Sequence, residues 1–325
     1  MAMRALPNWA ATRQFYRQHV ATEWADIPEL QHPREWTATQ LQPGKLVVGF
    51  RIAWSGSSGV SELALDGGAA VRSGANPHQL SIVMPILGNS SRLFWTGLEA
   101  RDGAVINTAN QPEHWSLRGP GRLLVFSLDA SAPFADGGTR RAPQLVYHPD
   151  RQQRRAFQTL LERVLDIAEC DRSWIEGSRG ALIQNDLGIL ALDLLRSSDD
   201  EHHASRSVDD RRRRSFEELL NFFENGSADP LTLAAVAEAL GSSKRSLNYV
   251  CHDFFGLAPM ELLRISRLNA VRRILRQAQP GSVSIWKLAG DFGFWHPGRF
   301  SVAYRDHFGE TPSQTLRGPR VFAQR

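Results

Sequence analysis

The chain has 325 residues, 42% of them apolar, which is enough for two domains with separate cores. No apolar run is long enough to cross a bilayer, Met1–Ala10 lacks the continuous apolar stretch of a secretory signal, and the two cysteines, Cys170 and Cys251, have no metal-ligand spacing. The expectation is therefore a cytoplasmic protein with no disulfide framework, no structural metal and no membrane partner. Net charge is +4, but from Arg211 onward 17 Lys and Arg stand against 10 Asp and Glu, so the basic excess lies in the C-terminal part. Such a surface attracts a polyanion through counterion release; a solvated Arg-rich face is the plainer alternative.

Residues 45–129 read as β. Lys45–Ser55, Val60–Asp66, Gln79–Leu87, Arg92–Thr96, Ala104–Thr108 and Arg122–Asp129 are short and rich in β-branched and aromatic residues. Ser55-Gly56, Asp66-Gly67-Gly68, Gly88-Asn89 and Asp102-Gly103 punctuate them, a spacing that suits a barrel or sandwich. From Asp150 the period changes. Phe157, Leu160, Leu161, Val164, Leu165 and Ala168 recur at helical spacing, and a second helix is expected over Trp174–Leu195. An apolar stripe on such a helix either pairs with its copy in a second subunit or packs back onto the strands. Ser197–Asp210 is polar and reads as a linker, with His202 and His203 solvated within it. The expected division is a domain over residues 1–196, a linker over 197–210 and an all-helical domain over 211–325.

The last hundred residues contain a duplication. Leu233–Gly241 (LAAVAEALG) and Ile285–Gly293 (IWKLAGDFG) share the order apolar-x-x-apolar-Ala-x-x-apolar-Gly. Phe255–Pro259 (FGLAP) answers to Phe308–Pro312 (FGETP). In each copy the apolar positions bury one face of a short helix. The small Ala237 or Ala289 lets another helix cross closely, and Gly241 or Gly293 ends the helix. A second helix follows, Lys244–Asp253 in one copy and Pro297–His307 in the other. Helix, glycine turn, helix is the arrangement that places a helix in the DNA major groove. With Leu247 and Val250 inward, the first such helix leaves Ser243, Lys244, Arg245, Asn248 and Tyr249 toward DNA. With Phe300 and Tyr304 inward, the second leaves His296, Pro297, Gly298, Arg299, Val302 and Arg305. Arg can read guanine, Asn adenine and an apolar Val a thymine methyl, while Lys244 and Arg305 suit phosphate. Met260–Ala278 reads as one long helix that holds the two readers about one DNA turn, ~34 Å, apart.

At these residues the chain resembles the AraC/XylS family of transcription regulators, over roughly Ser215–Arg317. The resemblance is carried by Leu231-Thr232-Leu233 with Val236-Ala237, Gly241-Ser242-Ser243 with Leu247, Phe255-Gly256 with Pro259, and Arg267-Leu268. It continues through Gly293-Phe294-Trp295-His296, Gly298-Arg299-Phe300, Tyr304-Arg305 and Phe308–Ser313, a block similar to the XylS-like branch. Val271 and Cys251 depart from the common residues at their positions. The resemblance implies seven helices, two helix-turn-helix units in successive major grooves of promoter DNA, and activation through contact with RNA polymerase. It also implies reading positions at Arg245, Asn248 and Tyr249, and at Pro297, Gly298, Arg299 and Val302. Because Pro297 and Gly298 have no side-chain donor, Arg299 and His296 carry more of the second readout.

Gly103–Ile106 and Leu145–Pro149, with the strand spacing, resemble the cupin-like effector domain of XylS-type regulators. This implies an α+β chain: an N-terminal cupin-like β-barrel with flanking dimerising helices, then an all-α double helix-turn-helix domain. The barrel would hold a small organic effector, for which Arg51, Trp54, His78, Trp95 and Trp115 are the candidate contacts, although each tryptophan also suits ordinary core. The histidines His78, His114 and His148 are isolated, and no catalytic triad, phosphate-cradling loop or HExxH is present, so neither an enzyme nor a cofactor is expected. The alternative is a ligand-independent regulator or repressor whose N-terminal domain serves only to form a homodimer.

Overall fold

A computed structural model describes residues 15–21, 36–74, 79–100, 103–107, 112–129, 145–171, 173, 178–196, 206–224 and 232–318. Twelve strands come first among them: β1 (Phe15–Ala21), β2 (Trp36–Gln40), β3 (Val48–Ser55), β4 (Ser58–Leu65), β5 (Ala69–Ser73), β6 (Gln79–Leu87), β7 (Arg92–Trp95), β8 (Leu98–Glu99), β9 (Ala104–Asn107), β10 (Glu113–Arg118), β11 (Gly121–Asp129) and β12 (Leu145–Tyr147). They form two antiparallel sheets, a seven-stranded one in the order β1-β3-β4-β11-β6-β9-β12 and a five-stranded one in the order β2-β5-β10-β7-β8.

Of the expected barrel or sandwich, the described residues show two sheets, with no strand pairing that joins them into a closed barrel. The strand pattern shows why the larger sheet is covered twice: β4, β6 and β11 are largely buried on both faces. One set of alternating residues, including Phe50, Leu63, Val71, Leu93, Trp95, Trp115 and Leu117, fills the space between the sheets. The other set on the larger sheet, including Val60, Ile82, Met84 and Phe126, packs against α1 (Arg151–Cys170) and α2 (Ser178–Arg196) through Phe157, Leu161, Leu165 and Leu187. The expected start of the second helix, Trp174, lies outside the described residues.

Helix α3 (Arg206–Glu224) begins inside the segment expected to be linker. No Pro or Gly occurs between Arg206 and Asp210 to break it. Then follow α4 (Leu233–Ala239), α5 (Lys244–Phe255), α6 (Pro259–Gln277), α7 (Ile285–Asp291), α8 (Pro297–Phe308) and α9 (Pro312–Arg317). Helix α6 is the rod common to two cores. Leu262 and Leu263 enter the core under α4 and α5, while Leu268, Val271 and Leu275 enter the core under α7 and α8. The outer face of the smaller sheet lies against this domain: Leu41, Ala70 and Phe94 share a core with Phe216, Phe254 and Phe255. The layers therefore run from α1 and α2 through two sheets to the C-terminal helices. No described helix is long and apolar enough to cross a membrane.

Candidate nucleic-acid interface

The duplication in sequence is a duplication in backbone. The Ser242 and Phe294 N–H groups donate to the Ala237 and Ala289 carbonyls, at 2.8 and 2.9 Å. Gly241 and Gly293 between them sit at φ of 56° and 80°, a region that residues with a Cβ enter only with strain. Thr232 and Ser284 cap α4 and α7, each hydroxyl accepting a backbone N–H three residues on. Helices α5 and α8 each have 12 residues and end at a left-handed glycine, Gly256 or Gly309. The copies differ at one reading end. The Ser243 hydroxyl caps α5 by accepting from the Ser246 N–H, whereas His296 offers α8 no side-chain cap and Pro297 fills its first turn.

Both second helices bury one face and bare the other. Leu247 is buried on α5, as are Phe300 and Tyr304 on α8. Ser243, Lys244 and Arg245 are exposed, and Tyr249 is 67% exposed. Asn248 is half-buried, and its amide donates to the Lys244 carbonyl at 2.9 Å, so reading adenine requires it to turn off its own helix. His296, Pro297, Gly298, Arg299, Val302 and Arg305 are all exposed on α8. Arg305 has only a loose contact, 3.9 Å, to the neighbouring Asp306. The expected reading residues thus stand on exposed surface at the N-terminal ends and outer faces of two matched helices.

The opposite ends of these helices carry contacts that the sequence reading did not identify. Arg118 of β10 donates to the His252 and Asp253 carbonyls at 3.2 and 3.1 Å, adding a second donor to the His252 carbonyl, which already accepts the Gly256 N–H, and reaching the Asp253 carbonyl in the last turn of α5. The Ser116 hydroxyl donates to the Phe254 carbonyl at 2.8 Å. The Asp253 carboxylate accepts from Arg92 of β7 at 3.3 Å and from Arg212 of α3 at 2.7 Å. At α8, the His307 carbonyl accepts from the Gln40 side-chain amide and the Gly44 N–H, both at 3.0 Å. The His307 ring lies 3.1 Å from the Gln40 carbonyl, and Asn269 of α6 exchanges two hydrogen bonds with the Gln40 backbone at 2.9 and 3.1 Å. Burial pushes the His307 imidazole down to about 4, with Arg264 and Arg272 acting in the same direction. The smaller sheet and the loop after β2 therefore hold the C-terminal ends of both reading helices. Asp253 was the legible signal: an acid in the last turn of a helix opposes the helix dipole and calls for a cation.

The five candidate effector contacts do not form one cluster. Arg51 leaves the sheet interior and pairs with Glu62, with Asp166 at 2.9 Å and with Glu169 at 3.3 Å. Trp54 donates its indole N–H to the Gly56 carbonyl at 3.0 Å and borders a small cleft of about 30 Å³ against α1 and α2. Trp95 and Trp115 do come together between the sheets, with ring centroids 6.2 Å apart and planes 15° apart. The buried Trp95 indole nitrogen has no hydrogen-bond partner. His78 lies outside the described residues.

Residues 236–318 match the family described as a helix-turn-helix domain. Over 166 residues the chain is 33% identical to the XylDLEGF operon transcriptional activator of Pseudomonas putida, covering 51% of this chain and 50% of that protein. It is 38% identical over 98 residues to a probable thc operon regulatory protein of Rhodococcus erythropolis, 30% of each. The chain thus spans about half the length, or less, of these relatives. A solved AraC-type regulator domain from Chromobacterium violaceum is 28% identical, covering 33% of this chain and 94% of that one, with a TM-score of 0.31.

Proposed function

We propose that this chain, which carries the DNA-binding domain of the AraC/XylS family of transcription regulators, is an effector-responsive activator that binds promoter repeats through α5 and α8. The observation that carries the reading is the matched pair of exposed second helices on one rod. Arg299 and His296 read bases from α8, Arg245, Asn248 and Tyr249 read from α5, and Val302 meets a thymine methyl. Ser243, Lys244 and Arg305 hold phosphate, and Pro297 and Gly298 let the backbone approach closely. RNA polymerase is the partner that activation requires, in keeping with the names of the Pseudomonas putida relatives.

The N-terminal domain supplies the response. Trp95 and Trp115 would wall an effector site that opens only where the packed core between the sheets parts, and the unpartnered Trp95 indole N–H is the donor that a small organic ligand would engage. β7 holds Trp95 and also Arg92, and β10 holds Trp115 together with Ser116 and Arg118, so the strands that would feel the ligand are the strands that grip α5. Ile167 of α1 and Ile189 and Leu190 of α2 are between 43% and 49% exposed, which supports these helices as the homodimer face. The test is to map the genomic fragments that the purified chain retains and to measure their affinity against scrambled duplexes. Selective retention of repeated half-sites upstream of operons is expected; equal affinity for every duplex at fixed salt contradicts the reading.

A further inference from the structure

A cleft of about 770 Å³ opens between the end of β6 and the first turns of α1, on the side of the larger sheet away from the C-terminal domain. Arg151, Arg154, Arg155 and His148 line it over an apolar floor that includes Ile86 and Leu87, and no carboxylate is among the described lining residues. The Gln158 amide donates to the Pro85 carbonyl at 3.3 Å and ties the helix to the strand at the cleft's edge.

The charge arrangement on α1 is uneven. Its acids Glu162, Asp166 and Glu169 lie in the later turns and pair with Arg122 and Arg51 of the sheet. Asp150 caps the helix, its carboxylate accepting from the Gln152 and Gln153 N–H groups at 2.8 and 3.1 Å, but the first turn itself holds no acid, and Arg151 and Arg155 stand at i and i+4, where like charges repel. A cavity, an apolar floor and the exposed guanidinium pair of Arg151 and Arg155 together describe a site that suits an anion. Arginine's planar fork matches carboxylate and phosphoryl oxygens, and the floor accommodates a carbon skeleton. We infer that this cleft binds a small organic dianion, a dicarboxylate or a phosphate ester, at a place separate from the Trp95–Trp115 wall.

The test is calorimetric titration of the full chain with phthalate, succinate and inorganic phosphate at constant ionic strength, with chloride as the blank. Specific DNA binding is measured in parallel, so that failure of this site is distinguishable from failure of the regulator reading. Saturable binding of at least one probe is expected, weakened tenfold or more in the double variant Arg151→Gln/Arg155→Gln, whose side chains are exposed. The double variant Arg151→Lys/Arg155→Lys keeps the charge without the fork and should retain part of the affinity. Tighter binding of the dicarboxylates identifies a diacid ligand, and tighter phosphate binding a phosphoryl one; both support the site. No saturable binding by any probe, or equal binding by parent and Gln variant, overturns it.

Discussion

The core beneath α4 and α5 takes in Phe216, Leu219, Leu220 and Phe223 of α3, together with Leu41, Ala70 and Phe94 from the smaller sheet. The core beneath α7 and α8 is filled from α6 onward, by Leu268, Val271, Leu275, Leu288, Ala289, Phe300, Tyr304 and Phe308. The same backbone plan is therefore fused to the rest of the molecule in one copy. In the other it rests on α6 and on the polar contacts of Gln40, Gly44 and Asn269. The consequence is a difference in freedom. The first reader is expected to move with the N-terminal sheets that share its core, and the second to need only the loss of a few hydrogen bonds around His307. Near-identical local structure thus carries unequal coupling, because coupling depends on what lies behind each helix and not on the helix itself.

The largest expected effect comes from removing a ring that joins the fused core. Phe254 meets Phe94 at 5.4 Å and Phe216 at 4.9 Å, so Phe254→Ala should lower unfolding stability by about 3–5 kcal/mol. Hydrogen exchange should then rise across β7, β10 and α3 as well as α5. Phe300→Ala should cost about as much, yet raise exchange only from α6 to α9. A global response to both variants would erase the proposed difference between the units.

A pH titration sharpens the same contrast. Folded His307 stays neutral because burial pushes it down to about 4, whereas the unfolded chain takes up that proton near 6.5. Between those values the unfolded state binds more protons, so stability is lost as pH falls, by up to about 3 kcal/mol for this one group. Burial, reinforced by Arg72, also pushes His114 on β10 down to about 4, which adds a parallel loss on the side of the fused core. Urea denaturation at pH 7 and pH 5 should show a smaller difference in His307→Asn than in the parent. An unchanged difference would mean that the His307 proton is not linked to folding.

For DNA, Arg299→Ala should cost about 1–3 kcal/mol and relax preference at one base pair, measured by anisotropy over a set of single-base variants. Uniform weakening over all sequences would reassign Arg299 to phosphate. The smallest expected effect lies at the caps. Ser243→Ala should cost about 1 kcal/mol of stability, because it removes the bond from the Ser246 N–H. His296→Ala, with no cap bond to lose, should leave unfolding unchanged while weakening DNA binding.

The C-terminal architecture was legible because its determinants are local. A glycine at a fixed distance from a small residue, and apolar positions three and four apart, specify α4, α5, α7 and α8 without reference to the remainder of the chain. Strands β5 (AAVRS) and β10 (EHWSLR) were not legible, since alanines and polar residues do not announce a buried strand. They are buried because Ala70 and Ser116 face a docked domain and Val71 and Trp115 face a second sheet. The grip on the reading helices was hidden for the same reason: Gln40 meets Asn269 and His307 across 229 and 267 residues of sequence. Arg51 and Trp54 looked like ligand contacts because their chemistry suits one. Their actual neighbours, Glu62 with Asp166 and the Gly56 carbonyl, belong to other strands, turns and helices that composition does not reveal.

The most direct test of the tandem reader is a hydroxyl-radical and methylation-interference footprint of the full chain on a selected binding site. Two protected major-groove segments, centred about 10 base pairs apart on one side of the duplex, are predicted. The segment nearer α8 should fade selectively in Arg299→Ala, and the segment nearer α5 should fade in Arg245→Ala. A single protected segment, or loss of both segments in either variant, would contradict the account.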